Sequence, residues 1–369
     1  MAQGQNLHTM KTDNKKLILQ LLSERGGLSR KELALLSGLT QAAVSKLTAE
    51  LIRDGFVREG GISDPPRRAG RREIGLSFCL DEILIFGVYA ELGSITFSVS
   101  DLSGRRLHQQ RIPFLLSCEE IARSAESFLR SAGAAASSLR YTGLCVPGSS
   151  QNTGFSLWDA SALKAAFENR FGLPAAVENN VRSFVLAQRY YGNGPLSDRS
   201  LFFKWGPGIG SAFFAGGDVL SGDAGDVAEI GHYIVDTSGR KCRCGRYGCL
   251  ETVCGVDALL NETGFCDVQT LLHSEKTETT DLLDQKIDIV AVALTNTSTL
   301  LNAQRVVFFG AMFSAQAVAD KLKKQMLRYN CHFTPGSVGL SPLNERISSV
   351  CPAAVCARDF FFSVKEDDQ

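Results

Sequence analysis

Three cysteines and one histidine fall within 18 residues: His232, Cys242, Cys244 and Cys249. Thiolate and imidazole are the ligands zinc prefers, and four of them complete a tetrahedral structural site with no open position for a catalytic water. Gly245 and Gly248 flank the turn that must fold the third thiolate back onto the metal, where a Cβ would crowd the backbone. A chance cluster and a redox pair are the alternatives, but Cys-x-Cys is too short for the usual Cys-x-x-Cys redox motif. One structural Zn2+ per chain is the expectation. Two acids bracket this knuckle: Glu229 lies three residues before His232, and Glu251 two after Cys249. The charge of the metal site needs neither. A rigid knuckle that ends in a carboxylate can aim it at a ligand; two solvated surface acids would have the same spacing.

The knuckle sits in an acidic body that follows a basic head. Residues 1–72 hold 13 Lys and Arg against 7 Asp and Glu, while the remainder holds 26 against 32. A basic head on an acidic body points to a polyanionic partner for the head. The chain has 369 residues, 44% of them hydrophobic, enough for more than one domain with its own core. It has no apolar run long enough for a membrane span, and Met1 to Leu7 lacks the features of a signal peptide. Eleven cysteines, three of them assigned to metal and the rest scattered singly, suit a reducing cytoplasm rather than a disulfide framework.

Within the head, the apolar spacing predicts a first helix over 14–23, ended by Gly26-Gly27. Ser29-Arg-Lys-Glu32 is a capping-box pattern for a short second helix. After the Ser37-Gly38-Leu39 turn, Thr40 can cap a third helix to about Asp54, with Val44, Leu47 and Leu51 on one stripe. Two short helices joined by a glycine-bearing turn make a helix-turn-helix. Its recognition helix offers Thr40, Gln41, Ser45 and Lys46 near its start, where such helices touch base edges. Two strand-like pieces, 56–58 and 73–76, enclose Pro65-Pro-Arg-Arg-Ala-Gly-Arg-Arg72. This reads as the wing of a winged helix, with Arg67, Arg68, Arg71 and Arg72 suited to a narrow, A·T-rich minor groove. An ordinary three-helix module and a basic linker are the bland alternatives.

The body alternates strands and helices. Strands are expected at 83–89, 94–100, 106–114 and 141–146, a helix at 119–130 and a loop at 131–138. A second set begins at Leu201 and includes 211–215 and a helix-strand pair around 286–309. Such alternation means an α/β body. No short internal repeat is visible.

Glu-x-Gly-His at 229–232, followed by Cys-x-Cys-Gly-x-x-Gly-Cys-x-Glu at 242–251, resembles the signature of the ROK family (repressors, open reading frames, kinases). The match is complete over 229–251, and weaker similarity covers nearly the whole chain. The head also resembles that of ROK repressors, a head ROK kinases lack. The resemblance implies a winged helix-turn-helix domain at 1–76 and a two-lobed sugar-kinase/actin-like body at 77–369. It further implies that His232 and the three cysteines hold a structural zinc, and that Asn179, Asn180, Glu229, His232 and Glu251 line a sugar site.

The family's kinase chemistry is expected to be lost. The acid of the Asp-x-Gly-x-Thr loop is replaced by Tyr89, and Gly93-Ser94 stands where the loop should be. Glu-Asn-Asp has become Glu178-Asn179-Asn180, and an amide cannot act as a general base at neutral pH. Of the Gly-Gly pair near the adenosine, Gly310-Ala311 keeps one glycine. Gly206-Pro-Gly-Ile-Gly210 survives, but such a turn often only lets a backbone bend. His232 cannot be both a zinc ligand and a free acid-base group, so its second nitrogen can only orient or donate. The leading expectation is a cytoplasmic, sugar-responsive transcriptional repressor that binds operator DNA and sugar without needing ATP. An A·T-rich, inverted-repeat operator and a homodimer or higher oligomer are expected, since winged heads commonly read two half-sites. An active sugar kinase with a DNA-binding head, and a regulator whose body binds a partner protein, are the alternatives.

Overall fold

The computed structural model describes residues 7–61, 74–115, 117–133, 137–150, 155–156, 159–192, 196–220, 227–330 and 332–362. The head begins with α1 (Leu7–Arg25), longer at both ends than its apolar stripe foretells. Its first turns are held by charge: Lys11 and Lys15 reach the Glu50 carboxylate at 2.8 and 3.0 Å. Two-residue β1 (Leu28–Ser29) leads into α2 (Arg30–Ser37) through the expected capping box. Ser29 Oγ accepts from the Glu32 amide, and the Glu32 carboxylate accepts from the Ser29 amide. Gly38 ends α2, and Thr40 caps α3 (Gln41–Arg53) by accepting from the Ala43 amide. Val44, Leu47 and Leu51 of α3 pack with Leu33 and with Ile18 of α1.

The flanking pieces form a sheet of order β1-β3-β2, with β2 at Val57–Gly61 and β3 at Gly75–Phe78. Both strands sit one to two residues downstream of their expected starts. β1 was not anticipated, being too short to show alternation. β3 straddles the division expected at residue 76. The wing arginines lie outside the described residues.

The body holds two five-stranded sheets. The first is built from β4 (Leu84–Glu91), β5 (Ser94–Asp101), β6 (Arg106–Pro113), β7 (Leu139–Val146) and β10 (Ala175–Asn179). α4 (Cys118–Ala132) precedes β7; the small hairpin β8–β9 (Ser149–Ser150, Phe155–Ser156) and α5 (Ala160–Phe171) precede β10; α6 (Asn180–Tyr191) follows it. The second sheet contains β11 (Arg199–Trp205), β12 (Ile209–Ala215), β13 (Asp218–Val219), β14 (Arg305–Phe309) and β15 (Val338–Leu340). α7 (Leu250–Cys254), α8 (Val256–Thr263), α9 (Val268–Leu272) and α10 (Thr277–Leu301) fill the stretch before β14, and α11 (Gln316–Tyr329) lies between β14 and β15.

The sheet orders are β10-β7-β4-β5-β6 and β13-β12-β11-β14-β15. Each is an antiparallel three-strand meander extended, beyond its first strand, by two further strands added in parallel. The body is therefore two copies of one topology, a duplication that leaves no visible repeat in the sequence.

Phe86 and Phe97 of the first sheet pack against Phe128 of α4 and Phe167 of α5. Its other face meets α6 and α12 (Ile347–Cys356). The two lobes touch where Phe184 of α6 stacks on Phe309 of β14, ring centroids 3.8 Å apart. Past α12, the π-helical turn Ala357–Phe362 runs under the head. Phe361 packs on Phe56 and Phe78, and Phe360 stacks on Tyr141 of β7. Lys16 of α1 donates to the Asp359 carbonyl at 2.8 Å. Aromatic pairs of this kind contribute ~0.5–1.5 kcal/mol each beyond their buried area. Head and body thus share one core, which also takes in Ile83, Ile85 and Leu102.

Candidate metal centre and ligand cleft

The knuckle hangs between β13 and α7. Glu229 and the 3-10 turn Ile230–His232 enter it, and Cys249 is the residue before the first turn of α7. The donor atoms of His232, Cys242, Cys244 and Cys249 all lie within 4.8 Å of one another. Cys244 Sγ and Cys249 Sγ are 3.6 Å apart, and Cys242 Sγ is 3.5 Å from His232 Nδ1. Tetrahedral zinc with ordinary bond lengths puts sulfurs ~3.8 Å apart, and sulfur and nitrogen ~3.5 Å apart. The donor set therefore fits zinc; with Nδ1 on a metal, His232 Nε2 would be the nitrogen able to donate.

The local charges agree. Burial, then the Arg243 and Arg246 charges, pull His232 down to about 4, so the imidazole keeps its lone pair at neutral pH. Burial, then the crowding of Cys244 and Cys242, pushes Cys249 up. As thiolates, three sulfurs this close would need a cation among them. Gly248 shows what the turn demands. Its φ is +66°, and a Cβ there would lie 1.5 Å from the Asp236 carbonyl.

Beside the knuckle, one cleft is lined by Asn179, Asn180, Glu229, His232 and Glu251, joined by Lys204, Ser211 and Arg243. The residues expected from sequence to meet a sugar are thus brought together. Each is held differently. Asn179 Oδ1 caps α6, accepting from the Val181 and Arg182 amides, so it can offer a ligand its amide N–H. Asn180 is buried and donates Nδ2 to the Ala90 carbonyl at 2.8 Å, which fixes its side chain at the cleft floor. Glu229 follows Ala228, a non-glycine residue at φ +64°, whose carbonyl accepts from Ser211 Oγ. A left-handed alanine costs about 1–3 kcal/mol, so the chain here is held in a strained turn that sets where Glu229 points. Glu251 pairs with Arg243 at 2.6 Å. Burial raises the Glu251 carboxyl, and the arginine offsets part of that.

Lys204, Arg243 and Ser211 were missed in the sequence. Lys204 did leave a trace, as a lone cation in the apolar run Leu201-Phe-Phe-Lys-Trp205. Arg243 is masked by its cysteine neighbours.

Tyr89, Gly310 and Ala311, at the positions compared with the kinase motifs, line a second cavity between the lobes, together with Glu91 and Asn344. Gly310 has a packing reason to be glycine: at φ +114°, a Cβ would come 2.5 Å from the Trp205 carbonyl. Among the head residues expected to touch DNA, Thr40, Gln41, Ser45 and Lys46 are all exposed on one end of α3. The Thr40 hydroxyl is engaged in capping that helix.

A helix-turn-helix head on a duplicated two-lobed body, with a cysteine-histidine knuckle beside the cleft, defines a class of DNA-binding regulators built on a sugar-kinase fold. The winged helix-turn-helix DNA-binding profile matches residues 11–58, and the ROK family profile matches residues 87–343. The chain belongs to the ROK family, on the side of its transcriptional regulators. It is 27% identical over 350 residues to the DNA-binding transcriptional dual regulator NagC of Escherichia coli (strain K12), covering 86% of this chain and 85% of that protein. It is 25% identical over 316 residues to the xylose repressor of Bacillus subtilis (strain 168), covering 81% and 82%. Its fold matches the crystal structure of a ROK family transcriptional regulator, a homologue of the E. coli Mlc protein, with a TM-score of 0.75 at 21% identity over 94% of this chain and 96% of that one. Among the described residues, no helix is long and apolar enough to cross a membrane.

Proposed function

We propose that the protein is a sugar-responsive transcriptional repressor: residues 1–76 bind operator DNA, and residues 77–369 bind a sugar in the cleft beside a structural zinc without phosphorylating it. The observation that carries this is the meeting of Asn179, Glu229, His232 and Glu251 in one cleft, while the phosphate side presents Tyr89 and Glu91 in place of a metal-binding loop. Carboxylates and an amide accept from and donate to hydroxyls in fixed directions. Relatives named for xylose and N-acetylglucosamine repression support the reading. The second cavity on the nucleotide side is the one feature favouring an active kinase, and an ATP-consumption assay over a sugar panel separates the two.

DNA contact is assigned to Gln41, Ser45 and Lys46, with the wing arginines Arg67, Arg68, Arg71 and Arg72 in the minor groove. Lys46→Ala is expected to weaken operator binding and to lower the salt slope by about 1, the signature of one lost phosphate contact. Anisotropy titrations at several salt concentrations measure both. An unchanged slope would remove Lys46 from the interface.

The route from sugar to DNA runs beneath Asn179. The Glu178 carboxylate accepts from Arg182 Nε at 2.9 Å and from Arg358. Arg358 Nε also donates to Asp359 Oδ1, and the Asp359 carbonyl holds Lys16 of α1. This links the residue before the sugar site to the first helix of the head in three contacts. Arg358→Ala is expected to leave sugar affinity within about threefold while shrinking the effect of sugar on operator affinity, since coupling between sites is typically worth ~1–3 kcal/mol. An undiminished response in this variant would place the coupling elsewhere.

A further inference from the structure

Lys204 is 4% exposed near the end of β11. Its ammonium lies 2.6 Å from Glu91 Oε1, at the end of β4, and 6.0 Å from the centre of the Tyr89 ring. β4 belongs to the first lobe and β11 to the second, so this ion pair crosses between them. Lys204 lines the candidate sugar cleft. Glu91 lines the second cavity. The pair therefore stands as the wall between the two, on the side of the cleft where Asn180 is tied to the Ala90 carbonyl, one residue from Glu91.

Among the described residues, the other charged groups facing the cleft are Glu229, Arg243 and Glu251, with His232 held by its neighbours. Arg243 is itself 2.6 Å from Glu251. Each cation lining the cleft among the described residues thus has a carboxylate at contact distance. A sugar bearing a phosphate or carboxylate would bring its negative charge toward Glu229 and Glu251, with Glu91 behind Lys204. To gain a cation it would have to draw Lys204 or Arg243 away from a protein partner. A neutral sugar faces neither cost, because hydroxyls can bond to paired charges without displacing them.

We propose that the Lys204–Glu91 pair is the element that sets the class of sugar: it supplies the lysine with an internal counter-ion, closes the phosphate side of the cleft, and excludes phosphorylated and carboxylate sugars. This rests on the reading of the cleft as a sugar site. Glu91 holds the Lys204 ammonium at 2.6 Å, so a ligand's phosphate would have to displace it to reach that charge. Removing the carboxylate charge leaves a buried ammonium facing the cleft, and a buried unpaired charge draws an anion strongly.

The test uses the full-length protein and calorimetry with glucose, N-acetylglucosamine, their 6-phosphates and glucuronate. The wild type is expected to bind one of the neutral sugars at least about tenfold more tightly than its phosphorylated form. Glu91→Gln is expected to move that ratio by about tenfold or more toward the phosphorylated form. If Glu91→Gln does not fold, Glu91→Ser removes the same carboxylate and is expected to move the ratio in the same direction. A wild type that binds the 6-phosphate or glucuronate as well as the neutral sugar overturns the proposal and leaves the sugar site standing. So does a ratio that the Glu91 variant does not move. Binding that Glu229→Gln and Glu251→Gln leave untouched, or no binding of either class, overturns the sugar-site reading itself.

Discussion

Cys244→Ser is expected to lower the metal content from one zinc per chain to near zero and to lower both thermal stability and sugar affinity. Apparent zinc binding in small cysteine-histidine sites is worth ~10–16 kcal/mol at neutral pH, and loss of an outer-shell partner alone already costs about 10- to 100-fold in metal affinity. Removing a direct ligand should exceed that. The damage should spread to the cleft because the metal site and the cleft share parts. His232 belongs to both, and α7, which carries Glu251, starts directly after Cys249. Cys266→Ser serves as the control, since this cysteine is exposed and outside the cluster. Elemental analysis of freshly purified, chelator-free protein checks the claim. Wild-type protein without zinc would contradict it.

Glu229→Gln and Glu251→Gln should each weaken sugar binding by about 1.5–3 kcal/mol, the usual worth of a hydrogen bond to a charged group, or roughly 10- to 150-fold in Kd. Operator affinity without sugar should stay near that of the wild type. The two acids reach the cleft by different means, a strained turn at Ala228 and the rigid start of α7, so loss of both effects together would point to the ligand rather than to one local distortion. Glu251→Gln also releases Arg243 from its partner, so Glu229→Gln is the cleaner probe. Asn180→Asp alone is expected to give no turnover. A general base contributes about 10²–10⁴ in rate, but the phosphate side would still present Tyr89 and Glu91. An inducible response that survives loss of both acids would place the effector elsewhere.

The cysteine-histidine cluster was legible because metal-ligand chemistry constrains residue type and spacing together, and His232, Cys242, Cys244 and Cys249 meet in space as their spacing foretells. The helix-turn-helix was legible because its caps are side-chain signals: Ser29, Glu32 and Thr40 do what their types foretell. The early turns of α1 were not, since ion pairs to Glu50 rather than an apolar stripe hold them. Nor was the duplication of the two sheets. Topology is fixed by which strands pair, and many apolar sequences satisfy the same pairing. Asn179, Glu229, His232 and Glu251 came from family resemblance; their spacing along the chain says nothing of a shared cleft. Lys204 and Glu91 lie 113 positions apart by their numbering, and only the crossing of the lobes brings them to 2.6 Å.

The most direct test of the account follows sugar, ATP and DNA in one sample. Full-length protein is titrated onto an operator selected from a random duplex library, with and without saturating sugar in the presence of ATP and Mg2+, and the sugar is then recovered and analysed. The account predicts an operator Kd that shifts by about 5- to 150-fold with sugar, and sugar recovered unphosphorylated. An operator Kd indifferent to every sugar, or sugar phosphate formed well above a Glu251→Gln control, would contradict it.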